Sequence, residues 1–262
     1  MDNSMKYALV TGASSGIGWH ISDELARRGY NIVAVSNQST QLENLKSKLE
    51  QFHQIVVETI CTDLAIHDAA LSVFEHCEQQ NLDVEVLVNN AGVLVYGETV
   101  TTDYSSVNSL LLLHVTTLAV LCRLFGERMV NQKKGYILNV SSISAVMPYP
   151  TISLYGPTKA FIRHFTRALR TEMRPHGIHV TCLMPGATNT SFYEETNFRI
   201  KKAYGMGIVK RPETVALAGV KALFNNRVRC IPGFLNKLVV LLLPLIPYSL
   251  ISLIYKNRFL KK

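Results

Sequence analysis

Along the first 230 residues, short runs of β-branched and aliphatic side chains alternate with longer stretches whose apolar positions recur every three or four residues. The short runs predict strands at Tyr7–Thr11, Asn31–Val35, Ile55–Ile60, Val84–Asn89, Gly135–Val140, His179–Met184 and Arg227–Ile231. The longer ones predict helices at Gly16–Arg28, Gln41–Gln51, His67–Gln80, Ser105–Asn131, Tyr155–Arg174 and Pro212–Phe224. Such alternation marks βαβ units, and near-continuous apolar strands belong to a parallel sheet covered on both faces. The expected fold is α/β, a doubly wound parallel sheet that binds its ligand at the carboxyl ends of the strands.

On this pattern residues 1–231 form one domain and residues 232–262 an appendage. From Leu238 to Ile254 the chain is almost wholly apolar, but Pro244 and Pro247 interrupt it. A bilayer-spanning helix needs about 20 uninterrupted residues, so two short helices meeting at the prolines are expected instead.

Composition separates the classes further. Apolar residues are 48% and charged residues 18% of the chain, which fits a sizeable core and excludes a solvated, disordered chain. The net charge of +8 is unevenly placed: Met1–Glu213 carries nineteen basic and nineteen acidic side chains, and Thr214–Lys262 eight basic and no acidic ones. The excess thus flanks the apolar tail, a pattern that suits an anionic membrane surface and argues against a nucleic-acid partner. Lys237, Lys256, Arg258, Lys261 and Lys262 would lie at headgroups. The tail also reads as a cover over the substrate cleft or a neighbouring subunit, and both readings stand at this point.

Five scattered cysteines with no Cys-x-x-Cys pair, and no His at metal-ligand spacing, read as reduced core thiols with no metal. The polar start Met1–Lys6 runs directly into the first strand and leaves no room for a signal peptide. A cytoplasmic protein is expected, peripheral on the cytoplasmic membrane face where the membrane reading of the tail holds.

Candidate chemistry begins after the first strand, where Thr11-Gly12-Ala13-Ser14-Ser15-Gly16-Ile17-Gly18 opens a helix. Glycines allow a tight turn and close backbone approach, and the free N–H groups of a helix start attract a pyrophosphate. Further on, Tyr155 and Lys159 are four residues apart at the start of a helix and so share a face. Ser141-Ser142 ends the Gly135–Val140 strand, where a doubly wound sheet places its crevice.

These motifs together resemble the short-chain dehydrogenase/reductase family, in its single-domain branch. The likeness covers about Lys6 to Ile231 and rests on the Thr11–Gly18 motif, Asp63, Asn89-Asn90-Ala91-Gly92, Ser142, Tyr155 with Lys159, and Pro185-Gly186 followed by Thr190. The resemblance implies a seven-stranded Rossmann-like sheet and hydride transfer between a nicotinamide dinucleotide and a carbonyl or alcohol. Tyr155 resembles the general acid and base. Lys159 would favour its phenolate and bind the nicotinamide ribose, and Ser142 would hydrogen-bond the substrate oxygen. The resemblance also assigns cofactor contacts to Gly12, Ser14, Ser15, Gly16, Ile17, Gly18, Asp63, Leu64, Asn90, Ala91, Gly92, Pro185, Gly186, Thr188 and Thr190, with Asp63 at the adenine and Thr190 at the carboxamide.

One position departs from the family pattern. Where the family has an Asn that holds a proton-relaying water, spacing puts His114, and Asn108 lies on another side of the helix. His114 reads either as a relay that titrates near neutral pH or as a helix-packing residue that impairs the relay. At the end of the second strand Ser36 and Asn37 replace the acid that would accept the 2′-hydroxyl of NAD; the absence of that repulsion favours NADP.

The substrate expected is a lipophilic small molecule. The pocket segments Val93–Val100, Ile143–Ser153 and Ser191–Val209 carry Met147, Tyr149, Phe192, Tyr193 and Phe198, an apolar and aromatic lining. A rival reading is a dinucleotide-binding sensor or membrane-surface interaction protein with little turnover. Analogy with the family predicts a homodimer or homotetramer paired through Ser105–Asn131 and Tyr155–Arg174.

Overall fold

A computed structural model describes residues 5–190 and 209–259. Residues 191–208, with the pocket side chains Phe192, Tyr193 and Phe198, lie outside the described residues, as do Lys261, Lys262 and the side chain of Arg258.

Seven strands form one parallel sheet: β1 Lys6–Thr11, β2 Asn31–Ser36, β3 Val57–Cys61, β4 Asp83–Asn89, β5 Gly135–Val140, β6 Ile178–Leu183 and β7 Arg229–Cys230. Their order is β3-β2-β1-β4-β5-β6-β7, so the strand order reverses between β1 and β4, where a ligand crevice opens. The register is Tyr7 with Asn31 and Thr11 with Val35 between β1 and β2, and Gly135 with Ile178 and Val140 with Leu183 between β5 and β6. The expected strand Ile55–Ile60 starts two residues later, and Arg227–Ile231 keeps only two residues in the ladder, as short as an edge pairing permits.

Strand side chains alternate between two cores. Leu9, Val33, Leu87, Ile137 and Val180 pack with α3 (Ala69–Gln79), α5 (Leu118–Gln132) and α6 (Tyr155–Met173). Their neighbours Val10, Ile32, Val86 and Leu138 pack with α1 (Gly16–Ala26), α2 (Ser39–Phe52) and α7 (Pro212–Phe224). Burial on both faces is the reason that the strands read as apolar runs.

The helix expected at Ser105–Asn131 runs without a gap from Tyr104 to Gln132 but is not α-helical throughout. α4 (Tyr104–Leu111) passes into a π-helical segment, Leu112–Thr117, before α5 begins. The wider turn adds a residue to the helical circuit and rotates the side chains that follow, an adjustment that sequence periodicity does not reveal. Tyr104–Gln132 as a whole is long and apolar enough to cross a membrane, yet more than half of its apolar window is buried in the fold.

In the appendage, α8 (Phe234–Leu242) is followed by a 3-10 turn at Leu243–Leu245 and then by α9 (Tyr248–Phe259). The two arms, Phe234–Leu245 and Tyr248–Asn257, meet at 101°.

Candidate active site

The glycine loop leaves β1 with no room to spare. A Cβ at Gly18 would stand 2.1 Å from the Gly12 carbonyl oxygen, and one at Gly12, whose φ is +63°, would stand 2.9 Å from Ala91 Cα. Only glycine lets the first turn of α1 lie against the loop with its free N–H groups facing the crevice. Asn90 fastens the next segment to this loop: its Nδ2 donates to the carbonyls of Thr11 at 3.0 Å and Gly12 at 3.2 Å. Thr11, the first residue of the glycine motif, accepts the backbone N–H groups of Asn90 and Ala91 on its hydroxyl at 2.9 and 3.0 Å. A pyrophosphate cradle at a helix N-terminus results, and the residues present fit a dinucleotide.

At the rim, Ser14 and Ser36 hydroxyls lie 2.8 Å apart, and Ser36 Oγ accepts the N–H of Gln38 at 3.3 Å. Ser15 and Asn37 are exposed beside them, and Ile17 is half-buried. Asp63 is exposed, and its carboxylate accepts the Ala65 N–H at 2.9 Å. The Leu64 side chain is in the core and its carbonyl accepts the Thr117 hydroxyl at 2.8 Å. Thr188 is buried, with its hydroxyl donated to the Gly186 carbonyl at 3.0 Å. The Pro185 carbonyl accepts the Ile143 N–H at 3.0 Å, which ties that loop to the end of β5. Thr190 reaches the glycine loop, where a Cβ at Gly16 would be 2.9 Å from its methyl.

Lys159, four residues into α6, is buried. Its Nζ donates to the Val140 carbonyl at 3.2 Å and stands 5.6 Å from the centroid of the Tyr155 ring. Burial lowers its pKa to about 8, since an ammonium out of water loses hydration. Ser142 Oγ accepts the N–H of Ser144 at 3.1 Å and caps the 3-10 turn Ile143–Val146. A hydroxyl that accepts keeps its own proton to give, so Ser142 is set as a donor. Gly156 packs against the Ser144 carbonyl, 3.5 Å from where a Cβ would be, and joins the Ser142 turn to the start of α6.

His114 sits in the π segment, buried, its ring 5.7 Å from that of Tyr155 in an edge arrangement. The Val93 N–H donates to Nε2 at 3.1 Å, and Nδ1 lies 2.9 Å from Thr158 Oγ1. Since Thr158 gives its own proton to the Tyr155 carbonyl at 2.9 Å, Nδ1 must carry the hydrogen and Nε2 the lone pair. The ring is therefore neutral. Burial and the neighbouring Lys159 charge hold its pKa well below 6.5, which corrects the expected titration near neutral pH. A Cβ at Gly92 would fall 2.8 Å from His114 Nε2 and 3.4 Å from Lys159 Nζ, so the three meet at one point. The sequence marks Val93 only as the start of a pocket segment and does not mark Thr158; nothing in their spacing points to a partner 21 or 44 residues away.

Fold and site define a nicotinamide-dinucleotide-type Rossmann architecture with a Ser, a Tyr and a Lys at the carboxyl edge of the sheet. The profile of the short chain dehydrogenase family matches residues 6–200, and the chain belongs to that family. It is 34% identical over 186 residues to very-long-chain 3-oxoacyl-CoA reductase-B of Danio rerio, covering 69% of this chain and 58% of the relative. It is 32% identical over 204 residues to human 17-beta-hydroxysteroid dehydrogenase type 3, covering 76% of this chain and 64% of the relative. The chain thus spans less than two thirds of the length of these curated relatives. Among solved structures it is similar to a short-chain dehydrogenase from Sphingobium yanoikuyae in complex with NADPH, with a TM-score of 0.81, 28% identity, and 87% and 88% of the two chains covered.

Proposed function

We propose that the protein is an oxidoreductase that moves a hydride between NADP(H), in preference to NAD(H), and a carbonyl or alcohol of a lipophilic small molecule. The observation that carries this reading is buried Lys159 beside the Tyr155 ring, with Ser142 set as a donor at the end of β5 and its turn joined to the start of α6 through Ser144 and Gly156. The dinucleotide, when bound, supplies or takes up the hydride. Gly12 to Gly18 and the start of α1 would hold its phosphates, Asp63 its adenine, Lys159 and Tyr155 the nicotinamide ribose, and Thr190 the carboxamide.

In reduction, Ser142 donates to the substrate oxygen and Tyr155 gives it a proton as negative charge develops there. Lys159 stabilises the phenolate that Tyr155 becomes. In oxidation the same phenolate takes the proton back. His114 does not move protons in this reading; it positions Tyr155 and the Val93 segment around Lys159.

The Ser14–Ser36 pair supports NADP, because hydroxyls accommodate a 2′-phosphate and no carboxylate repels it. The NADPH complex of a solved relative supports it as well. The two curated relatives are named for fatty-acyl and steroid substrates, and this supports a lipophilic one. Five free cysteines support a reducing, cytoplasmic compartment. A groove of about 430 Å³ between α5 and α6, lined by Val130, Phe165, Leu169 and Met173, supports pairing of two copies there.

The test is titration of the purified protein with NADPH and NADH, followed by a panel of long-chain and cyclic ketones. Binding with substrate-dependent loss of reduced-cofactor absorbance is expected. Tight binding without turnover on any member would turn the assignment to a sensor, and no binding would remove it.

A further inference from the structure

The C-terminal helices have two unlike sides. Phe234, Leu238, Leu241 and Leu245 recur at helical spacing and are 77, 41, 68 and 74% exposed, whereas Asn236 and Val240, on the other side of the turn, are 2 and 8% exposed. The inner side is fastened to the fold. Asn236 donates to the Pro232 carbonyl and packs on Gly186, where a Cβ would stand 2.5 Å from its Oδ1. Val240 packs with Ala145, Cys182 and Met184. In α9, Ile251 is buried and the Tyr255 hydroxyl donates to the Glu98 carboxylate, while Leu250 and Leu253 are exposed.

Packing thus leaves the outer side uncovered as a unit. Of the twenty-two exposed large apolar side chains among the described residues, ten lie between Phe234 and Leu253. Scattered exposed leucines are ordinary, but a contiguous patch of them marks an interaction surface.

Charge identifies the occupant. Thr214–Lys262 has eight basic residues and no acidic one, and Lys237 and Lys256 are exposed on the two helices that carry the patch. Apolar side chains framed by lysines match a layer of anionic headgroups over acyl chains. The helices lie along such a layer rather than through it. Twelve residues from Phe234 to Leu245 reach only about 18 Å of the roughly 30 Å hydrocarbon core, and the 101° bend prevents the two arms from adding in line.

We infer that the outer face of α8 and α9 docks on an anionic phospholipid surface, its leucine stripe in the interfacial layer and Lys237 and Lys256 at the phosphates. The inner side of the same helices touches Gly186, the turn after Ser142 and Glu98, so docking brings the cleft against the bilayer. A substrate dissolved there enters without crossing water. This last step rests on the lipophilic-carbonyl reading, whereas the docking does not.

The experiment is flotation of the full chain with phosphatidylcholine vesicles, with and without phosphatidylglycerol, alongside Leu241→Glu/Leu245→Glu and Lys237→Glu/Lys256→Glu. The parent chain is expected to float with the anionic vesicles and much less with the neutral ones. Both variants should lose at least tenfold of that partition while keeping the parent's melting temperature and NADPH affinity. A parent chain that stays down with anionic vesicles, or a leucine variant that floats equally well, overturns the docking. So does gel filtration showing that the stripe holds two copies together and is hidden from vesicles. NADPH affinity in the same samples reports on the dinucleotide reading separately.

Discussion

The imidazole of His114 and the hydroxyl of Thr158 lie 2.9 Å apart in the interior, and the proton between them belongs to the ring. With Val93 N–H on the other nitrogen, the ring links the π segment, the start of α6 and the loop after β4. Polar groups buried in this way position their neighbours when every partner is satisfied and destabilise when one is removed.

Thr158→Val leaves the buried Nδ1–H without an acceptor, which costs about 1–3 kcal/mol. The expected result is a lowered melting temperature together with a kcat loss that His114→Asn does not reproduce in full. A Thr158→Val enzyme with parental stability would show that the link holds nothing in place.

His114 also sets a pH dependence of stability. The folded chain refuses a proton that the unfolded chain accepts below 6.5, so the unfolded state binds more protons there and stability falls as pH drops through that value. His114→Asn should flatten this part of the curve. Denaturation midpoints of the two proteins between about pH 5 and pH 7 measure it, and parallel curves would contradict a neutral ring.

Lys159 acts at the alkaline end. Its pKa is depressed from 10.5 to about 8, so between these values the unfolded chain holds more protons and stability rises with pH. Below about 8 the whole cost of the buried ammonium is present. Lys159→Met should remove the rise between pH 8 and 10.5 and gain stability at neutral pH, as a thermal scan across that range reports. A variant with the parent's slope would place the proton elsewhere.

Tyr155→Phe keeps the ring and removes the acid. A loss of about 10²–10⁴-fold in kcat or more is expected, with NADPH affinity held within a few-fold by fluorescence titration. Turnover at the parental rate would exclude Tyr155 as the proton donor.

Ser36→Asp introduces the carboxylate that the second strand lacks. Repulsion of the 2′-phosphate should weaken NADPH by ~10-fold or more, about 1.4 kcal/mol, and leave NADH unchanged or tighter. Unaltered preference would mean that the Ser14–Ser36 rim does not read the ribose.

The strands and helices were legible because burial on two faces writes itself into local apolar runs, as in Leu9–Val10 and Leu87–Val88 of β1 and β4. The glycine loop was legible because Gly12 and Gly18 answer to backbone geometry that no other residue tolerates. The π-helical segment Leu112–Thr117 was not, since a π turn shows no change in composition.

The sequence by itself determined the order of strands and helices, the cradle at Gly12–Gly18, the Tyr155–Lys159 face and the basic, proline-split tail, all of which are encoded by neighbours within a turn or a strand. The tertiary structure alone decided that His114 is neutral and fully bonded, and that Asn236 and Val240 turn inward while Phe234, Leu238, Leu241 and Leu245 turn out. Each of these depends on partners far off along the chain, Thr158, Val93, Gly186 and Cys182, which only the closing of the sheet and its helices brings within hydrogen-bond or packing distance.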